Sequence, residues 1–326
     1  MWVCLRTLKD GLSLLRHYVD GLDKQDRLLR VQPEACGHAH AVVRDLQNHF
    51  RSKNQKDRYD YNTIIISLYG YFERYLEDLI TEYLTLVSSY VPKFSDLPSC
   101  IQEKHLVLSL DLARKADQQR FASTVRVEEI VSRLHGCFNT PEKYQLNVQA
   151  FTQHTANFRQ AVVASTFNQC GIPNLGQSVR KAEPFISFLK QEDPDRDVDN
   201  YLSGGDDVVF ARLDDLANRR NDVAHGTPVD DILSQDLLRS YIDFIEAYAA
   251  GVALIVFERA LPFMLDHALA LGLPILVFNG RIVCVNVPKG RIAIGDTLIA
   301  KTQDTSRPYK VASLKKFNET TSRCWR

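Results

Sequence analysis

From Tyr61 to Tyr90 the chain places apolar side chains at helical spacing without interruption: Ile64, Leu68, Tyr71, Phe72, Tyr75, Leu79, Tyr83 and Val87. That period predicts one long helix, roughly 45 Å from end to end. Pro92 stops it. A rod of this length makes the first part of the chain a helical domain.

Other segments repeat the period. Leu5, Leu8, Leu12, Leu15, Val19 and Leu22 predict a helix over 2–30, and a shorter one follows from His40 to Phe50. Lys53 to Asp60 reads as a polar, charged connector. Further helices are expected at 101–117, 126–136, 157–170 and 182–191. Glu192, Asp193, Asp195, Asp197 and Asp199 mark an acidic loop, read as a solvated linker. A helix from about Asp207 leads to Arg220, with Gly226 and Pro228 as stop signals. A last long helix is expected from Asp230 to Leu271, kinked at Pro262.

The texture then changes. Pro274 to Phe278, Asn279-Gly280 and Arg281 to Val285 have the pattern of strand, turn, strand, and Asn-Gly favours a type I′ hairpin turn. Strands are also expected at 291–301 and 308–317. The fold class is therefore mainly α, a helical domain over 1–271 with a small basic β-rich module over 272–326.

Formal net charge is zero across 326 residues, which excludes a global basic field, so a polyanion must be held locally. Seven irregularly spaced cysteines without a CxxC point to reduced thiols and a cytoplasmic location. The N-terminus lacks the apolar run of a signal peptide. The run Ala247–Phe257 is shorter than the about 20 residues of a membrane span, so no membrane association is expected. Cys36, His38 and His40 lack a second ligand cluster at zinc spacing, and Gly204-Gly205 is not followed by the Lys-Ser/Thr of a phosphate loop. No metal and no cofactor are expected.

The chemistry concentrates in Arg220-Asn221-Asp222-Val223-Ala224-His225, closed by Gly226. A permanent cation, an amide and an imidazole fall within two helical turns, enough to hold a phosphodiester and move a proton. Asn221 and His225 share a helix face, and Val223 and Ala224 can turn toward the core. The same spacing also suits a plain polar helix end with His225 as a cation on the helix dipole. An Arg-x4-His spacing recurs at Arg44 and His49, so context must decide. Glu73, on a largely apolar stripe of the long helix, needs a partner if buried, and Arg220 or the adjacent Arg219 is a candidate; the other reading places it with Arg74, Glu77 and Asp78 on a solvated face. The stripe Tyr69, Tyr71, Phe72, Tyr75 reads as helix packing.

Tyr71 to Ile80, followed far downstream by Leu216-Ala-Asn-Arg-Arg-Asn-Asp-Val-Ala-His-Gly226, resembles the HEPN superfamily. The stretch from Thr155 through Ile172 is similar to its RiboL-PSP-type branch. The resemblance covers about residues 1–265. It implies an antiparallel helical bundle with the Arg-Asn-x3-His element just before the last long helix. It also implies a metal-independent endoribonuclease working as a homodimer that brings two motifs into one cleft. Carried over, His225 is the catalytic imidazole, Arg220 stabilises charge on the phosphorus, Asn221 orients His225 or the phosphate, and Glu73 positions Arg220, with Arg219 supporting. It suggests a toxin-like effector in phage defence or stress response, with RNA as substrate and a regulatory or antitoxin protein as a partner.

Asp214, Asp215 and Asp222 depart from what a polyanion cleft wants, and Arg212, Arg219 and Arg220 offset them in part. Residues 281–326 carry ten Lys and Arg against three Asp and Glu, so the module can bind RNA through phosphates and stacking on Tyr309, Phe317 and Trp325, or simply be a solvated β module. The alternative to catalysis is a non-catalytic dimeric HEPN-like protein that binds nucleic acid or acts as a scaffold.

Overall fold

The computed structural model describes residues 2–32, 37–50, 53–115, 126–153, 157–227, 231–279, 282–287, 290–301 and 306–315. The chain forms two compact units, Trp2–Ala260 and Leu261–Arg326, divided inside the last long helix. The fold is mainly α with a small C-terminal β module. The helices are α1 (Val3–Leu29), α2 (His40–His49), α3 (Lys53–Tyr90), α4 (Ser99–Lys115), α5 (Val127–Asn139), α6 (Val148–Phe151) and α7 (Gln160–Gln169), then α8 (Leu175–Arg180), α9 (Glu183–Glu192), α10 (Val198–Ser203), α11 (Asp206–Val209), α12 (Ala211–Ala224) and α13 (Gln235–Leu265).

α3 is the axis of the first unit. Ile64, Ile65, Leu68, Phe72, Leu76, Leu79, Ile80 and Leu84 are fully buried along it. α1 lies antiparallel against it, pinned at two points. The first N–H groups of α1, at Val3 and Cys4, donate to the Glu82 carboxylate at 2.9 and 2.8 Å, where a helix N-terminus has unsatisfied donors and favours negative charge. Four turns along, the Tyr18 hydroxyl donates to Asp60 at 2.9 Å. α13 packs on the same axis: Tyr75 donates to the Ala249 carbonyl at 2.7 Å, and the Phe72 and Tyr248 rings meet edge to face. α13 has the length and hydropathy of a membrane span, but 67% of its most apolar window is buried, as in a core helix.

Three of the expected helix boundaries need correction. The polar stretch from Lys53 to Asp60 is not a connector but the first two turns of α3. Charged residues are adequate helix formers, and Lys56 pairs with Asp60 one turn later at 2.7 Å. The last helix is shorter than 230–271: it starts at Gln235 and ends at Leu265, shortly after Pro262 removes a backbone donor. The helix expected from Asp207 is two helices, α11 and α12, broken at the buried Phe210.

A polar cluster lies inside the packing of α4, α5 and the entry to α6. His105 is fully buried and its Nε2 accepts the Asn147 backbone N–H at 2.8 Å. Its Nδ1 lies 3.9 Å from Cys137 Sγ, and its ring stacks on Phe151. The Asn147 side chain donates to Ser109 Oγ and the Ile130 carbonyl, each at 3.1 Å. An imidazolium would lose the Asn147 bond, and burial pulls the His105 pKa down to about 4.

The unfolded histidine takes up its proton near pH 6.5 and the folded one only near 4. Between these values the unfolded state binds more protons, so stability falls as pH drops. Urea unfolding from pH 7 to 4.5 should show this group costing up to about 3 kcal/mol at the acid end. H105Q, which does not titrate, should show a correspondingly flatter profile.

The second unit carries β1 (Leu276–Phe278), β2 (Ile282–Cys284), β3 (Thr297–Lys301) and β4 (Ser306–Lys310) in two separate two-stranded antiparallel sheets. β1 pairs with β2 with Val277 opposite Val283. Asn279 has φ +50°, the left-handed conformation that a type I′ turn needs at its first central position; Gly280 lies outside the described residues. β3 pairs with β4 with Leu298 opposite Tyr309. The strands expected at 291–301 and 308–317 are shorter. Before β3 the chain turns instead: Gly295 has φ +94° and the Asp296 carboxylate accepts the Ala293 N–H at 2.8 Å. Phe317 and Trp325 lie outside the described residues, as does Cys36 of the considered Cys-His cluster.

Candidate functional site

α12 is amphipathic over its first turns, with Leu213, Leu216 and Ala217 buried at the i, i+3, i+4 spacing of one face. That stripe runs on into Arg220, whose guanidinium lies 5.0 Å above the ring of Tyr69 on α3. A cation over an aromatic face is attracted by the ring quadrupole. The two neighbours of Arg220 diverge to either flank.

On one flank, Arg219 is tied into the scaffold. It donates to Asp215 at 2.6 Å, to the Tyr61 hydroxyl at 3.0 Å, and to the backbone and side chain of Asp231 at 2.8 and 3.0 Å. Burial opposes its charge, but its bonds to Tyr61, Asp215 and Asp231 outweigh that and raise its pKa further. Its described partners make Arg219 an anchor of α12 and of the chain after residue 230.

On the other flank, Asn221 meets Asn157, which shortly precedes α7. Asn157 Nδ2 donates to Asn221 Oδ1. Arg220 donates to Asn157 Oδ1 at 3.0 Å and, more weakly, to Asn221 Oδ1 at 3.4 Å. The residues after Asn157 are held just as closely. Phe158 N–H donates to the Tyr69 hydroxyl at 2.7 Å, Arg159 donates to Asn218, and Gln160 N–H, at the start of α7, donates to Asp214 at 2.8 Å.

Tyr69 also lies one turn before Glu73 on α3. Burial pushes the Tyr69 hydroxyl up to about 12; the bond from Phe158 and the Arg220 charge work against that, and the Glu73 carboxylate adds to it. Glu73 is half-buried one turn further along α3.

His225 is the last residue of the helical turn. Its N–H donates to the Asn221 carbonyl at 2.9 Å, Gly226 N–H to Val223 at 3.1 Å and Thr227 N–H to Asp222 at 2.9 Å. With Gly226 at φ +68°, these bonds form a Schellman ending. It satisfies the last carbonyls of α12 and leaves the imidazole exposed, one turn beyond Asn221. Ala224 is exposed and Val223 half-buried, so the expectation that both turn to the core is corrected: the buried stripe has already passed to Arg220.

Two of the carboxylates suspected of repelling a polyanion are used internally. Asp214 caps α7, and Asp215 accepts from Arg219 and from the Tyr241 hydroxyl at 2.6 Å. Asp222 is exposed along the same helix end, and no described bond to its side chain draws it toward Arg220. Arg212 is bound to Glu192 and Ser240, away from this cluster. Glu192 is accordingly no part of a solvated linker: it ends α9 and accepts from Arg212, Arg196 and Ser240. At the other Arg-x4-His spacing, Arg44 and His49 are exposed on α2.

The sequence alone does not single out Asn157 or Tyr69 as site residues. Tyr69 reads as packing, and it is buried, but its hydroxyl and ring face also hold Phe158 and Arg220. Asn157 lies within the stretch that carries the resemblance. Its partners are 63 and 64 residues away, so no local spacing marks it.

A helical bundle with an Arg-Asn-x3-His element closing the helix before its last long one is a HEPN arrangement. The family model described as RiboL-PSP-HEPN matches residues 41–256, and the chain belongs to that family. The matched span contains Glu73, Asn157, Arg219, Arg220, Asn221 and His225. No curated protein and no solved structure matches the chain. Membership points to an RNA-related, nuclease-like function.

The Schellman ending gives a direct test of how His225 is placed. A Cβ on Gly226 would meet nothing within 4 Å, so any cost of replacement is conformational. G226A should lower unfolding free energy by about 1 kcal/mol. G226N, whose side chain tolerates the left-handed region, should lose less. Urea denaturation of the three proteins checks the order.

Proposed function

We propose that this chain is an endoribonuclease that cuts RNA by attack of a ribose 2′-hydroxyl on the adjacent phosphate. The single observation that carries this reading is the exposed imidazole of His225, whose backbone is fixed one helical turn beyond the joined Arg220–Asn221 pair. Arg220 meets the phosphate oxygens and the charge that grows on them in the transition state. Asn221 donates to the phosphate. His225 removes the 2′-hydroxyl proton or returns a proton to the departing 5′-oxygen. The 2′-oxygen forms a bond to phosphorus as the bond to the 5′-oxygen breaks. The products are a 2′,3′-cyclic phosphate and a 5′-hydroxyl. Proton transfer and charge stabilisation both come from side chains, so the proposed reaction needs no metal ion.

One imidazole is poorly suited to act as base and acid in the same step. A homodimer that apposes the same patch twice about a two-fold axis supplies a second His225. The composite site therefore belongs to two copies of the chain. Glu73 supports Arg220 through Tyr69, and Arg219 supports it by anchoring α12. The biological setting proposed from the resemblance is a toxin-like effector in phage defence or stress response, in the cytoplasm, restrained by a regulatory or antitoxin protein.

The test incubates wild type, H225A and R220A with total RNA in EDTA and maps the cut ends. Wild type should leave cyclic-phosphate ends, and each variant should be slower by roughly 100-fold or more. DNA of the same sequence should stay intact. RNA left whole by wild type, with and without a candidate partner protein, would favour the non-catalytic binding reading.

A further inference from the structure

The polarity of the Arg220–Asn157–Asn221 chain is not arbitrary. A guanidinium has donors and no acceptor. The atom of Asn157 that faces Arg220, at 3.0 Å, must therefore be its carbonyl oxygen. This fixes the orientation of the Asn157 amide, which is otherwise symmetric in shape. Its NH2 group is then the end that faces Asn221, and a donor there requires the Asn221 oxygen opposite it. The weaker contact from Arg220 to the same oxygen agrees. With its oxygen turned inward, Asn221 has its own NH2 group turned away from Asn157.

We infer that Asn157 is a positioning residue: it relays the direction set by Arg220 and holds the Asn221 NH2 outward as a donor for a phosphate oxygen. This rests on the ribonuclease reading for the identity of the ligand, a phosphodiester, but not for the orientation of the amide. Asn157 itself does not touch the substrate. The surrounding bonds keep it in register: Phe158 is held by Tyr69, and Gln160 by Asp214.

N157D separates the relay from a merely structural role. The introduced carboxylate has the shape of the amide and still accepts from Arg220, so thermal stability should not fall. It cannot donate to Asn221. The Asn221 amide then turns over to give its NH2 to that carboxylate, and the outward donor is lost.

The first readout is NMR of protein labelled with 15N-asparagine, titrated with a DNA oligonucleotide that carries phosphates but no 2′-hydroxyl. In wild type the Asn221 side-chain NH2 signals, assigned by their absence in N221A, should shift on titration. In N157D they should not. The second readout is turnover of RNA. N157D and N221A should each lose roughly 10- to 100-fold, and the double variant should lose no more than either alone. Were the introduced carboxylate to act only by neutralising Arg220, the two losses would multiply, and the relay would be wrong. It would also be wrong if N157D kept the wild-type shift or wild-type turnover. Failure of wild type to cut any RNA would sink the ribonuclease reading alone, because the amide signals decide the relay independently.

Discussion

A buried phenol must satisfy its hydroxyl without water, and α3 uses that requirement to set its neighbours. Tyr61 accepts from Arg219 on α12, Tyr69 accepts from Phe158 ahead of α7, and Tyr75 donates to Ala249 on α13. Apolar contacts along α3 supply most of the driving force but are indifferent to small slides. The three hydroxyls are not: each is satisfied only when one atom of one neighbour is opposite it. α3 is thus both the core of the bundle and the ruler against which the site-bearing segments are placed.

The site inherits that arrangement. Arg219 and Arg220 are adjacent and chemically alike, yet they serve different ends because α12 presents them to different flanks. Arg219 is used up by the scaffold, with carboxylates and a phenol around it. Arg220 lies at the margin of the buried stripe, over an aromatic face and beside neutral amides. Neutral hydrogen-bond partners do not cancel its charge, which suits the proposed contact with a phosphate.

The helices are legible in the sequence wherever burial alternates at 3.6 residues, as it does along α1 and α3. Residues 53–60 escape because that test looks for apolar positions, whereas this stretch is held by an ion pair and by Tyr18 of α1. The β module is legible at Asn279-Gly280, where turn chemistry is local. It is overextended at 291–296, where β-branched residues sit in a turn. Arg220, Asn221 and His225 are readable because their relation is local, a matter of helical turns. Asn157 is not, since what gives it meaning is distant in the chain. Glu73 stands between: its need for a partner is readable, but the charge it shares with Arg220 around the buried Tyr69 hydroxyl is not.

The direction of the amide chain also bears on how such a site can change over generations. Three positions, one of them far from the others in sequence, share one hydrogen-bond polarity with its source at Arg220. Replacing that source by a residue able to accept as well as donate would leave both amides free to turn over. A change at any one of residues 157, 220 and 221 therefore alters what the other two can bond to, so the three positions constrain one another physically.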